Sequence, residues 1–241
     1  MRVSDRSHEI QGGKLPPHTL LICEEYGLTM EGGGRRASSH HANAAQPFTV
    51  KVHPDVPFLC DLHAHLADSE IIGFLAGRFE REERCLYVQA PFPCRATARN
   101  DDGSTDVEMD PGSEIEIREV IDRHRMTVMG WYHSHPTFQP EPSLIDIENQ
   151  QNYQVLLREE ETGVEPFVGL IVGTYDEASR DPISLFRYFH VRRIKMGCGA
   201  HDGVNFPMAL EVMHARKPDT AAGIVLPPPP SLPSSDMKLN G

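Results

Sequence analysis

One stretch constrains this 241-residue chain more than any other: a strand-like run that ends in two histidines and leads through prolines into a helix start. The run Thr127-Val128-Met129-Gly130-Trp131-Tyr132 is β-branched, aromatic and apolar, so it predicts a strand that delivers His133 and His135. Residues two apart on a strand share a face, so both imidazoles can reach one point. Seven residues, Pro136 to Pro142, separate His135 from Ser143, and Pro136, Pro140 and Pro142 hold that connection extended. Leu144, Ile147, Tyr153 and Leu156-Leu157 recur at roughly helical spacing, which predicts a helix beginning near Ser143 with Asp146 in its first turn. Two imidazoles and a carboxylate make three metal ligands. Three protein ligands and one open position describe a hydrolytic zinc, whereas a structural zinc is usually closed by four. The expectation is metal-assisted hydrolysis, with His133, His135 and Asp146 as the ligands.

Ser143 and Asp146 also read as a helix N-cap with an acidic residue at N3. That reading is compatible with a ligand role for Asp146 and explains neither histidine. The chain carries an internal control, because His63-Ala64-His65 repeats the His-x-His pattern. There the apolar positions 59, 62 and 66 recur at helical spacing, and residues two apart on a helix point to different sides. His63 and His65 are therefore expected to be partly buried or surface histidines. Ser134 alternates onto the strand face opposite His133 and His135, so packing is expected of it.

Hydrolysis at a metal needs a proton shuttle. Asp68 to Gly77 is an apolar, strand-like run with Glu70 near its start, which makes Glu70 the candidate base from a neighbouring strand; a solvated strand end is the plainer alternative. Gly73 and Gly77 mark either a close backbone approach or a bulge.

Taken together, Glu70-x-x-Gly73, His133-x-His135-Pro136, the seven-residue spacing and Ser143-x-x-Asp146 resemble the complete signature of the JAMM (MPN+) metalloproteases. These are zinc enzymes that remove ubiquitin or ubiquitin-like proteins. The resemblance spans about residues 47 to 193, and Gly130 to Ile147 is most similar to the branch holding the histone deubiquitinase with Myb-like, SWIRM and MPN domains and the MPN-domain-containing protein. It implies one catalytic Zn²⁺ on His133, His135 and Asp146, Glu70 as general acid/base, and Ser143 as the oxyanion donor. It also implies ubiquitinated protein as substrate, a nucleosomal histone among the targets, and an MPN-type partner subunit. Many MPN domains have lost the metal and act as scaffolds. Every metal and base position is intact here, so the scaffold alternative is a competent site that stays inactive without a partner. A non-haem iron triad uses the same ligand types but leaves Glu70 and Ser143 without a role. Zinc deaminases need Pro-Cys-x-x-Cys, which Pro93-Cys94-Arg95-Ala96-Thr97 lacks.

The expected order is strand 48–53, helix 55–67, strand 70–80, strand 84–92, helix 111–125, strand 127–134, helix 143–159, strand 167–174 and strand 182–192. That order predicts a layered α/β fold with a mixed sheet, and the resemblance implies that it is an MPN domain similar to cytidine deaminases. Asp110 and Pro111 supply the N-cap and first position of helix 111–125, and the loop 99–105, rich in turn residues, falls where the family places an insertion near substrate. Residues 1–46 are expected to be a flexible segment, 47–193 the catalytic domain, and 194–241 an extension with a short helix at 207–216 and the proline run 227–233. Five cysteines without a Cys-x-x-Cys pair read as reduced thiols. With no signal region or transmembrane run, the expected location is the nucleus or cytoplasm, without a membrane partner. A formal net charge of -12 disfavours direct nucleic-acid binding and suits basic partners such as histones.

Overall fold

The structure of the protein, a computed structural model, describes residues 1–2, 9–10, 12–27, 45–97, 107–174, 183–193 and 203–215. Its elements are β1 Glu24–Glu25, β2 Thr49–Val52, α1 Asp55–Ala64, β3 Ile72–Glu80, β4 Cys85–Cys94, α2 Pro111–Arg123, β5 Thr127–His135, α3 Leu144–Leu156, β6 Val168–Gly173, β7 Leu185–Arg193, β8 Asn205–Ala209 and β9 Val212–His214. The strands form one mixed sheet in the order β1-β8-β7-β6-β5-β3-β4-β2-β9. Strand β5 runs antiparallel to β3 and parallel to β6 near the middle of this sheet. From Val128 to His135 every β5 residue is buried, the pattern of a strand covered on both faces.

The two covers are distinct. On one face α1 buries Val56, Cys60 and Ala64 in a cluster with Leu75, Val88, Tyr132 and Leu170. On the other, Ile121 of α2 and Ile147 of α3 pack with Phe74, Trp131, Phe167 and Phe189. His133 and His135 share the face of Trp131, so the histidines open on the side of α2 and α3. The layered mixed α/β fold is thus as expected.

The edges of the sheet nearly meet. Strands β8 and β9 lie towards opposite ends of the strand order, yet only Leu210 and Glu211 separate them. Three Cα steps of about 3.8 Å cannot exceed roughly 11 Å, so the sheet must curl until its two ends are neighbours.

Three expectations are corrected. The helix expected at 207–216 is replaced by β8 and β9, because Val204, Phe206 and Met208 bury at a period of two against β7. The proline in β8 is tolerated because β1 pairs only with Met208 and Ala209, leaving no ladder partner beside Pro207 on that side. The patch Leu20-Leu21-Ile22, expected to be loose, packs against the body: Leu21 is fully buried and Glu24–Glu25 joins the sheet. Glu70 precedes β3 rather than lying on it. The glycines are both of the kinds anticipated. A Cβ at Gly73 would come within 2.5 Å of the Tyr132 ring, while Gly77 stands at a register shift and against the Tyr87 carbonyl. The 99–105 loop, apart from its flanks, and the 227–233 proline run lie outside the described residues.

Candidate metal centre

Strand alternation places the side chains of His133 and His135 together at the end of β5, with Nε2 atoms 3.0 Å apart. Asp146, in the first turn of α3, brings Oδ1 to 3.4 Å from His133 Nε2 and Oδ2 to 4.0 Å from His135 Nε2. All three side chains are buried, at 3%, 3% and 8% exposure. Two ligands about 2.05 Å from one tetrahedral ion stand about 3.3 Å apart, so this spacing fits a single zinc-sized cation. Among the described residues this is the cluster of His, Cys, Asp and Glu with such convergence.

Each of the three side chains is held from behind. His135 Nδ1 lies 2.8 Å from the Gln139 carbonyl, which can only accept, so Nδ1 carries the proton and Nε2 keeps its lone pair for a metal. His133 stacks on Trp131 with ring centroids 4.8 Å apart and planes 9° from parallel. Trp131 in turn donates through Nε1 to Gln150 Oε1 at 2.8 Å, and Gln150 donates to the Phe167 carbonyl. His133 Nδ1 is buried without a hydrogen-bond partner. Asp146 is the N3 residue of a capping box on Ser143, so the helix start itself aims a carboxylate at the histidines. The cap is therefore present, and it leaves the Asp146 carboxylate beside the two imidazoles.

Charge follows the same arrangement. Burial draws the His133 pKa down, but the carboxylates of Asp146 and, to a lesser extent, Glu70 outweigh it and leave it raised. Burial and the neighbouring His133 push His135 down to about 4. Burial raises Asp146, yet the two histidines and the Ser143 amide bring it to about 2. The arrangement thus favours an ionised Asp146 and a neutral His135, and makes His133 the more readily protonated of the two imidazoles.

The cluster opens into a cleft of about 660 Å³ whose lining includes Glu70, Trp131, Ser143 and Tyr153. Its lining also includes Val107, Glu108 and Met109, in the stem where the Thr97 amide donates to the Glu108 carbonyl at 2.8 Å. The structure thus brings together His133, His135, Asp146, Ser143 and Glu70. It keeps the second His-x-His apart: α1 lies across the sheet, His63 Nδ1 meets the Tyr132 hydroxyl at 2.9 Å, and His65 Nδ1 meets the Asp61 carbonyl. Ser134 is buried and accepts the Ile71 amide at 3.0 Å. Sequence reasoning missed Gln150. Gln150 left a signal, a polar residue three positions after Ile147 on the buried face of a helix.

Residues 45–159 match the family described as JAB1/Mov34/MPN/PAD-1 ubiquitin protease. A Branchiostoma floridae protein named as the histone deubiquitinase MYSM1 is 38% identical over 138 residues, 57% of this chain and 16% of that protein. The human "Deubiquitinase MYSM1" is 37% identical over 139 residues, 58% of this chain and 16% of that protein. A Danio rerio "MPN domain-containing protein" is 36% identical over 175 residues, 73% of this chain and 34% of that protein. The chain therefore spans no more than about a third of these relatives' own length. By family match, by fold and by similarity to these relatives, residues 45–159 of this chain form a domain of the JAB1/Mov34/MPN family.

Proposed function

We propose that the chain is a zinc-dependent isopeptidase that removes ubiquitin from protein lysines, with a core histone as target. The observation that carries this reading is the convergence of His133, His135 and Asp146 in a cleft that also holds Glu70 and Ser143. The donor set of two imidazoles and one carboxylate suits zinc and leaves one position for a water or a carbonyl. When bound, zinc supplies Lewis acidity and brings the pKa of a water to roughly 7.

The chain's own residues do the rest. Glu70 is half-buried in the cleft, where it takes the water's proton and later delivers it to the departing lysine amine. Ser143 serves the developing oxyanion by turning its hydroxyl proton away from Asp146 Oδ2, which keeps the Ser143 amide as donor. Gln139 and Trp131 hold the two imidazoles so that neither must reorganise during the reaction. The apolar lining, including Ile72, Phe138 and Met109, limits water around the scissile bond.

The histone target is motivated by the relatives named as histone deubiquitinases and by the formal charge of -12, which favours a basic partner. The location proposed with it is the nucleus. Among the described residues no helix is long and apolar enough to cross a membrane. Incubating the purified chain with ubiquitinated nucleosomes and a panel of ubiquitin dimers, with and without chelator, tests all parts at once. Release of ubiquitin that a chelator stops and zinc restores is the expected result. Cleavage indifferent to chelator would end the metal assignment, and cleavage of free ubiquitin dimers with none on nucleosomes would end the histone assignment.

A further inference from the structure

The cleft has a wall that lies before residue 45, outside the family match. The segment around Leu20 runs beside the loop that carries Ser143: the Leu21 amide donates to the Pro142 carbonyl at 2.9 Å, and Leu20 bridges antiparallel to Ser143. Leu20 and His18 line the same cleft as His135 and Ser143. The segment is held at both ends of this contact, by the fully buried Leu21 and by the pairing of Glu24–Glu25 with β8.

Glu141 is what joins the two. It sits between Pro140 and Pro142 and is only 9% exposed. One carboxylate oxygen accepts the Cys23 amide at 2.9 Å, and the other accepts Arg187 Nη2 from β7 at 2.8 Å. A buried carboxylate is tolerated only when its oxygens are satisfied, so Glu141 holds this place because both donors are present. The two residues after it are Pro142, whose carbonyl takes the Leu21 amide, and Ser143.

We infer that Glu141 is a positioning residue of the site: through Arg187 and the Leu20–Cys23 segment it fixes the Pro142–Ser143 backbone, and with it the Ser143 hydroxyl and the Asp146 carboxylate. The segment before the family-matched region is on this account a working wall of the cleft. The kinetic consequence rests on the isopeptidase reading above, and the structural consequence does not.

The test uses the full chain loaded with zinc and two readouts. Arg187→Met removes one of the two donors to Glu141 without touching the cleft, and Arg187→Lys conserves the charge. In Arg187→Met, hydrogen exchange should quicken together at the amides of 18–23 and 140–147, while those of β5 keep wild-type protection. On a ubiquitin isopeptide substrate kcat should fall about tenfold with KM within about twofold, the cost of a misplaced group rather than of lost binding. Zinc content should be unchanged, and Arg187→Lys should recover most of kcat. If Arg187→Met does not fold, the Glu141→Gln, Arg187→Met double variant, which leaves no unpaired buried charge, takes its place. Wild-type protection at 140–147 would overturn the inference, as would wild-type kcat in an active enzyme. If the wild-type chain cleaves no ubiquitin substrate, the proposed function fails, and exchange alone decides the positioning role.

Discussion

Asp146 Oδ2 accepts both the amide of Ser143, at 2.7 Å, and its hydroxyl, at 2.8 Å, while the Ser143 oxygen accepts the Asp146 amide at 3.1 Å. The same three bonds start α3 and aim a carboxylate at two histidines. Ser143→Ala should therefore have two separable effects. Loss of the cap should cost about 1 kcal/mol in denaturant unfolding, and loss of the oxyanion donor should lower kcat by roughly 10²-fold or more. Zinc should remain, since the Ser143 amide still holds Asp146. A drop in stability with kcat unchanged would leave Ser143 as a cap alone.

For the metal, the expected content is one zinc per chain, and the His133→Ala, His135→Ala double variant should lose it. The His63→Ala, His65→Ala variant should retain it, because those rings lie across the sheet and bond to Tyr132 and Asp61. Elemental analysis of freshly purified protein decides both. Equal zinc in the first variant and the wild type would remove the assignment.

Glu70→Gln keeps the size of the side chain but cannot carry a proton. It should retain zinc and ubiquitin binding while hydrolysis falls by roughly 10²-fold or more, the usual scale for general acid/base removal. Near-normal turnover would assign the proton transfer to another group.

A pH dependence of stability is built in away from the site. His190 is buried on β7, where Nε2 donates to the Glu165 carbonyl at 3.0 Å and Nδ1 accepts the Tyr26 hydroxyl at 3.3 Å. Burial pushes its pKa down to about 4, so it is neutral in the fold. Below its unfolded value near 6.5 the unfolded chain binds the proton first, so stability present above that pH is lost as pH falls towards 4. Between pH 7 and pH 5 the wild type should lose about 2 kcal/mol more than His190→Gln, at about 1.4 kcal/mol per unit below 6.5. Urea unfolding at the two pH values, with both proteins in the same metal state, measures this. Parallel losses would show that His190 is not the group responsible.

The parts legible in the sequence are those set by near neighbours. A β-branched and aromatic run specifies β5, the period of two puts His133 and His135 on one face, and Ser143 with Asp146 caps α3 through atoms three residues apart. Asp110 and Pro111 begin α2 by the same short-range chemistry. Tertiary structure alone decided the rest. The bond from the Cys23 amide to Glu141 spans 118 residues, and that from Arg187 to Glu141 spans 46. No local pattern announces that a patch as short as Leu20-Leu21-Ile22 will be buried, or that 205–214 will form strands rather than a helix. Both outcomes turn on which surfaces the curled sheet leaves to be covered once β7 and β2 stand at its edges. The proximity of Glu70 to His133 has the same origin. It follows from the register that pairs Ile72 with His133 across β3 and β5, a relation between strands that neither stretch of sequence contains alone.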